Sequence, residues 1–558
     1  MTKYKNMIEV YIENSHERIL VPQGLSLAEI GENYKHLTHY PILGALVNNE
    51  IADLGYRIYK PKRIMFFDVN SRHGYRMYIY SVAFLLYKAV HDLFPKGKLY
   101  IEHSLLNGLF CRIADVDGED NVSLAYKIRE HMNVLVEKDL PFTSQNMMME
   151  DALKVMAETG NDESHRLMQN SNRLYAPIVF LADTPHMIYS KLVPSTGLLK
   201  VWDFRVFSDG FLLQMPSSDQ PMILSSYHDT PRLFKIFREH REWKNLLQTL
   251  YVCDLNDKVR AGKANYLIQV AEALHEKKYS LIADAVYQKR EQLKMVLIAG
   301  PSSSGKTTSC RRLGVHLALM GFDVQQMSLD DYFVDRENTP RTPDGEYDFE
   351  ALEALDIPKL NEDLLALSEG KAVEIPRFDF ITGKRFYNGD VLLMKENSIL
   401  IIEGIHALNP KLTEQIPEEW KYRVYVSAMT QIAIDDQNII RSSDNRLIRR
   451  MVRDYKFRGY SALETLRRWP NVRAGEQKHI FPYQENADVM FNSALMYELG
   501  ILKNYAEPLL KNVPENTPEH AEACRLLEIL TLFETIPEKY IPPTSIMREF
   551  LGESSFDY

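Results

Sequence analysis

Near the start of the chain, Ile8-Glu9-Val10-Tyr11-Ile12 sets apolar and polar positions in the two-residue period of a half-buried strand. Leu25 to Tyr34 predicts a short helix, and Ile42 to Val47 a second strand that enters a turn at Asn48-Asn49. These pieces predict a small mixed β unit. Lys258 to Arg290 is mostly helical in pattern, with Leu267, Val270, Leu274 and Leu281 on one face. The pattern then changes. Met295-Val296-Leu297-Ile298-Ala299 is a continuous apolar run of strand length, opening into Gly300-Pro301-Ser302-Ser303-Ser304-Gly305. Beyond that turn, Leu313, Leu317 and Met320 recur at helical spacing as far as Gly321, which fits a helix cap. Val324 to Ser328 and Ser398 to Ile402 read as further strands. Residues 500–558 are helical in pattern, with interruptions at Pro514, Pro518 and Pro537. The triplet Met147-Met148-Met149 reads as flexible core filling.

Composition narrows the class. A chain of 558 residues has room for several domains, and 45% hydrophobic with 25% charged residues is ordinary for soluble globular proteins. No apolar stretch is long enough to span a bilayer, and the polar N-terminus lacks a signal-peptide pattern. Cys111, Cys253, Cys310 and Cys524 are scattered, which predicts neither a zinc motif nor a disulfide framework and fits a cytoplasmic protein. A net charge of −10 argues against wholesale attraction to RNA or membranes, leaving a local basic patch open.

The strand–turn–helix at 295–320 carries the clearest chemistry. Gly300 and Gly305 let the backbone N–H groups of Ser302, Ser303 and Ser304 fold around a triphosphate. Lys306 adds a charge near the β- and γ-phosphates, the Thr307 hydroxyl suits Mg²⁺, and Thr308 completes the cradle. The alternative, a surface turn matching by chance, sits poorly with a strand before it and a helix after. The second strand ends in Leu329-Asp330-Asp331-Tyr332, where an acid is placed for catalysis or merely for a solvated turn. Glu403 after the third strand is a second metal-organising position, because a hard cation prefers carboxylate oxygen. Arg441 to Arg473 is strongly basic and arginine-rich, and three readings compete for it. It is a lid over phosphates, a solvated face paired with Asp444, Asp454 and Glu464, or an RNA patch; the predominance of arginine favours the lid.

Three resemblances follow from these residues. Val47-Asn48-Asn49-Glu50-Ile51-Ala52-Asp53-Leu54 resembles the TGS domain, a β-grasp module at the start of threonyl-tRNA synthetases. Residues 66–246 resemble the second domain of the same enzymes through Ala83 to Pro95, Lys98-Leu99 and Asn107-Gly108. That domain's editing site of three His and one Cys falls here on Tyr80, Phe84, Ala182 and His186, so the resemblance implies ancestry without editing. His73 and His103 lie near in sequence but read as ordinary histidines, and no zinc is expected. Most of 295–500 resembles the uridine kinase/phosphoribulokinase family of P-loop kinases. The matching pieces are Gly300 to Thr308, Ser328 to Tyr332, Tyr347-Asp348-Phe349, Ile375 to Phe380, Ile402-Glu403-Gly404, Arg449 to Asp454 and Arg458-Gly459.

The kinase resemblance implies roles. Asp330 would be the general base, Asp348 would hold the ribose hydroxyls, and Phe378 and Phe380 would contact the base. Arg450, Arg453 and Arg458 would bind phosphate or sugar, with Lys306, Arg453 and Arg458 acting in catalysis beside Asp330. Where pyrimidine-specific members place a base-reading His, this chain has Gly383, followed by Lys384-Arg385, which leaves base selectivity open.

The expectation is thus a multidomain α/β protein. Its parts are a TGS-like β-grasp domain (1–65), a synthetase-like α+β domain (66–246), a helical connector (247–291), a doubly wound parallel-sheet kinase domain (292–499) and a helical C-terminus (500–558). The expected activity is an ATP- and Mg²⁺-dependent nucleoside kinase for uridine or cytidine in nucleoside salvage, in a cytoplasmic homo-oligomer with no membrane contact. The rivals are a kinase for another small alcohol such as a sugar phosphate, and an RNA- or ribosome-associated regulator switched by nucleotide. The N-terminal modules are the expected place for any tRNA or nucleotide effector.

Overall fold

The computed structural model describes residues 7–557 apart from 106–107, 117, 227–229, 343–344, 346 and 380. Phe380 and Asn107 therefore lie outside the described residues. At the N-terminus, strands Met7–Ile12, Glu17–Pro22, Gly44–Val47, Glu50–Ala52 and Lys62–Phe67 form one five-stranded sheet. The short helix Leu27–Gly31 begins with a capping box between Ser26 and Glu29. Asn48 and Asn49 are both left-handed, with φ of 50° and 63°, as a tight hairpin turn requires. The last strand runs to Phe67, so the first unit extends past residue 65.

The second unit packs the long helix Arg72–Leu93 and the helix Asn121–Glu137 with a four-stranded antiparallel sheet, beside a three-stranded sheet. Two of its histidines, His186 and His103, are held by aromatic packing. His186 lies flat on Tyr87, ring centroids 4.7 Å apart, with Phe84 at 5.4 Å. Burial holds its imidazole below the usual range. His103 is stacked on Phe237 at 3.7 Å. The Met147–Met149 stretch is split, with Met147 and Met149 against a small core and Met148 exposed.

The connector is helical, as its pattern predicts, through Val252–Arg260 and α1 (Ala264–Tyr287). Leu267 and Leu274 are buried, but Leu281 is 50% exposed. At 3.6 residues per turn the buried stripe of this long helix drifts, and it continues through Ile282 and Val286.

Five parallel strands then build the central sheet: β1 (Met295–Ala299), β2 (Asp323–Ser328), β3 (Ser398–Glu403), β4 (Lys421–Ser427) and β5 (Val489–Asn492), in the order β2-β3-β1-β4-β5. Every residue of β1 is buried, which is why it reads as an unbroken apolar run. One face is covered by α1 and α2 (Lys306–Leu319); Tyr279, Ile282 and Leu313 pack there with Val296 and Ile298. The opposite face holds Leu297, Leu329, Leu360 and Ile402. Strand order reverses direction beside β1, so the carboxyl ends of β1 and β3 open a crevice there. No helix among the described residues is long and apolar enough to cross a membrane.

The helices that follow β4 are α3 (Ser442–Arg458), α4 (Ala462–His479), α5 (Glu498–Lys511), α6 (His520–Thr531) and α7 (Arg548–Leu551). Their apolar faces do not form separate cores. Leu255 and Ile268 of the connector, Leu447 and Met451 of α3, Trp469 of α4, Leu502 of α5, Leu526 of α6 and Phe550's neighbours Ile546 and Met547 share one cluster. Pro508 lies within α5 without ending it, while Pro514 and Pro518 fall in the α5–α6 link.

Two polar junctions lock the units together. Residues 435–438, between β4 and α3, enter the second unit: Ser164 Oγ donates to Asp435 at 2.6 Å, Gln437 Nε2 to Leu99 O at 2.8 Å and Asn438 Nδ2 to Met187 O at 2.9 Å. At the other junction Glu522 of α6 pairs with Arg76 at 2.8 Å, and Arg525 pairs with Asp444 of α3 at 2.8 Å. The first junction has a pH signature. Burial pushes the Asp436 carboxyl up to about 7, with repulsion from Glu163 and Asp435 adding to it against the Tyr251 hydrogen bond. A carboxyl that folding makes harder to ionise stabilises the fold below its unfolded pKa, and that contribution is lost as pH rises toward 7. Asp436→Asn keeps an acceptor for Tyr251 and carries no charge. Its melting temperature is expected to match the parent near pH 4 and exceed it by about 2–4 °C at pH 8. Parallel melting curves against pH check this.

Candidate active site

The loop between β1 and α2 is shaped by close approach. A Cβ at Gly300 would lie 1.9 Å from the carbonyl oxygen of Val426, so only glycine lets the loop pass β4. Ser303 (φ 57°) and Gly305 (φ 84°) are left-handed, a geometry that turns successive N–H groups to one side. The buried hydroxyls of Ser303 and Ser304 have no partner among the described residues, and α2 starts at Lys306 with its N-terminus toward the loop. Orphan donors at a helix N-terminus fit an anion with several oxygens, as a triphosphate has. Lys306 lies folded over the loop, its Nζ donating to Pro301 O at 3.3 Å.

Besides Glu476 and Glu549, which bond the loop and the first turn of α2 directly, three further carboxylates lie near this loop. Thr307 Oγ1 donates to Glu403 at 3.2 Å, and Ser328 Oγ to the same oxygen at 3.4 Å. Burial pushes the Glu403 carboxyl up to about 7; Lys306 opposes the shift, and Asp330 and Glu549 add to it. A half-buried carboxylate beside a hydroxyl is a hard-oxygen donor pair that fits Mg²⁺. Among the described residues no group of three or more His, Cys, Asp or Glu is arranged as a metal site, so an ion here would need phosphate oxygens to complete its shell. Asp330 opens onto the cleft. Its surroundings raise its pKa by desolvation, against the pull of Lys306, Arg458 and Arg453. Its neighbour Asp331 is committed to Arg377 at 2.8 Å. The third carboxylate, Glu350, carries no sequence pattern that marks it. Burial and Glu476 push it up to about 7, with Arg450 and Lys306 pulling the other way.

The basic segment expected to be a lid over phosphates is α3 and α4, packed by Leu447, Ile448, Met451 and Val452. Five of its arginines are held by two acids. Asp454, its side chain only 3% exposed, gathers Arg450 (3.2 Å), Arg453 (2.8 Å) and Arg458 (3.7 Å). Glu476, fully buried, pairs with Arg446 and Arg473 and accepts the Ser302 N–H at 3.2 Å. Burial opposes its ionisation, but those two guanidinium groups hold it below the usual range. Arg450 also donates to Ser302 Oγ at 2.8 Å and Arg446 to Ser302 O at 3.1 Å, so α3 is fastened to the loop. Arg449, by contrast, is fully buried against Glu498 and Ser493 and is a core residue.

Asp348 takes the Glu350 N–H at 3.2 Å, and its charge reaches His479 of α4. Arg341 stacks over Tyr347 at 4.3 Å beside it. Phe378 is 8% exposed and packs on Phe333 at 5.5 Å within the core. Gly383 is left-handed, and a Cβ there would lie 2.6 Å from Arg336 Nε. Arg385 is engaged with Asp356 at 2.8 Å.

Comparison with known proteins bears on this region. Residues 295–498 match the model of the Phosphoribulokinase / Uridine kinase family. A uridine kinase of Staphylococcus aureus strain JH9 is 29% identical over 195 residues, covering 35% of this chain and 84% of the relative; that of strain Newman matches equally. Among solved structures, a possible uridine kinase from Bacillus stearothermophilus shares 19% identity, with a TM-score of 0.24, over 36% of this chain and 89% of its own. A D-glycerate 3-kinase from Cryptococcus neoformans shares 15% identity, with a TM-score of 0.21, over 48% of this chain and 89% of its own. The sequence matches support a phosphotransferase of the kinase type in residues 295–498.

Proposed function

We propose that this protein transfers the γ-phosphate of ATP to the 5′-hydroxyl of a nucleoside, uridine or cytidine first among them. The observation that carries the reading is the placement of Asp330. It stands at the carboxyl end of β2, across the cleft from Lys306 and within the field of Arg453 and Arg458. Phosphoryl transfer needs positioning and charge neutralisation more than covalent help, and these groups supply both. The loop N–H groups and the Ser303 and Ser304 hydroxyls hold the phosphates, with Lys306 between the β- and γ-groups, while Ser302, tied to Arg450 and Glu476, joins the loop to α3 and α4. Thr307 and Glu403 would hold Mg²⁺, which when bound neutralises phosphate charge.

Asp348 orients the acceptor through its ribose hydroxyls. Asp330 takes the proton from the acceptor oxygen as that oxygen bonds to phosphorus and the bond to the β,γ-bridging oxygen breaks, releasing ADP. Arg450, Arg453 and Arg458, held by Asp454, face the charge that develops. Phe380 is the base-contacting aromatic in this reading, whereas Phe378, which the family resemblance pairs with it, packs into the core on Phe333. The two N-terminal units are read as synthetase-like modules without editing chemistry, consistent with the aromatic packing of His186.

A second reading, phosphorylation of another small alcohol such as a sugar phosphate, is favoured by one feature. The site of the missing base-reading His is Gly383, pressed on Arg336, and Phe378 faces the core. ADP release with Mg²⁺-ATP across a nucleoside and sugar-phosphate panel, with products identified by mass, decides between them. Turnover with no nucleoside on the panel would overturn the first reading.

A further inference from the structure

The C-terminal segment reaches the phosphate loop from 241 residues away in sequence. Thr308 in the first turn of α2 donates both its N–H, at 3.2 Å, and its hydroxyl, at 2.6 Å, to the same carboxylate oxygen of Glu549. A Cβ placed on Gly305 would lie 2.2 Å from Ile546 Cδ1, so the segment leading into α7 is pressed against the loop itself. The positive end of α2 therefore already holds an anion, and that anion belongs to the chain.

The backbone around Glu549 is fixed. Ser545 Oγ donates to Glu272 at 2.5 Å, Lys456 Nζ to Leu551 O at 2.8 Å, and the buried Phe550 ring lies 5.0 Å beneath the Arg449 guanidinium. Ser545, Ile546, Met547 and Phe550 are fully buried, whereas Glu549 is only half-buried. A rotation of one side chain, with the backbone left in place, would clear the Thr308 donors.

We propose that Glu549 is an internal competitor for the phosphoryl donor, its carboxylate standing where a phosphate of the bound nucleotide belongs. The proposal rests on the donor site described above. Donor affinity is then set in part by how readily Glu549 turns away, and anything that shifts α7 on α3 changes that affinity without touching the loop. Charge-assisted contacts of this kind are strong enough that losing the competitor should be felt as roughly a tenfold change in affinity.

The test uses the full chain and three variants, Glu549→Gln, Glu549→Ala and the control Glu553→Gln, whose carboxylate pairs with Arg548 at the surface. Each is titrated calorimetrically with a non-hydrolysable ATP analogue and, separately, with inorganic tripolyphosphate. Both Glu549 variants are expected to bind both probes about tenfold more tightly than the parent, with Glu553→Gln unchanged. Folded Glu549 variants that bind tripolyphosphate no more tightly than the parent overturn the proposal, whatever the nucleotide does. Tighter tripolyphosphate binding with no nucleotide binding in any protein upholds the internal competitor and removes the donor reading instead. Glu549→Gln preserves shape, so an unfolded Glu549→Ala does not blunt the comparison.

Discussion

Asp330→Asn is expected to lower turnover by a factor on the order of 10²–10⁴, with little change in the affinity for ATP, because the amide keeps the shape and loses the basicity. Asp331→Asn is expected to spare the chemical step. The two side chains differ in their company. Asp331 is 15% exposed and bonded to Arg377, which also holds Asp390, so its role is to pin the loop. Asp330 has no such partner among the described residues and faces Lys306, Arg453 and Arg458 across an open cleft. Desolvation makes it a stronger base than a free carboxylate, while the three cations keep it ionised enough to work. Steady-state kinetics of both variants on the best acceptor decide the matter. Full activity in Asp330→Asn together with loss in Asp331→Asn would reverse the assignment.

Glu522→Gln is expected to cost about 3–5 kcal/mol of folding stability, the usual penalty for removing one member of a buried ion cluster. Glu522 has 4% side-chain exposure and meets Arg76, Arg72 and Arg525, while Arg525 passes the contact on to Asp444. Burial alone would keep the Glu522 carboxyl neutral; Arg525, Arg76 and Arg72 instead hold it well below the usual range. Its contribution is therefore present above the unfolded carboxylate pKa and is lost as the pH falls below that value, so the parent should lose its advantage over the variant in acid. Denaturant titrations at pH 7 and pH 4 measure both effects, and a variant as stable as the parent at pH 7 would count against the cluster. A double-mutant cycle with Arg76→Met separates the pair from the rest of the network.

The parts of this site that sit on short stretches of chain are legible in the order of residues alone. The apolar run at 295–299, its glycine turn and the following helix announce themselves because strand, turn and helix are consecutive. Asp330 and Glu403 stand out by the same logic, as acids at strand ends. The groups that sequence hides are paired at long range. Glu476 reaches Ser302 across 174 residues, and nothing local marks it as different from any other helical glutamate. Asp454 reads in sequence as one solvated partner among several, and only its burial makes it the anchor of three arginines. Arg449 and Arg450 are adjacent and chemically identical, yet one faces the core and the other the loop, because helical phase turns neighbours by about 100°. Leu281 misleads for a related reason, since a helix as long as α1 does not keep one straight seam.

The single apolar cluster shared by connector, α3, α4, α5 and α6 has a consequence for how this protein comes apart. Segments at either end of the kinase region finish its core, so cutting the chain at the borders suggested by sequence would strip one face of α3 and bare it to water. The interior amides of α3 and α5 should then exchange with solvent only when the whole cluster opens, giving them equal protection and one common rate-limiting event. The arginines mounted on such a helix inherit that behaviour. They are lost together with the fold, and a partly melted but active form is not on the path.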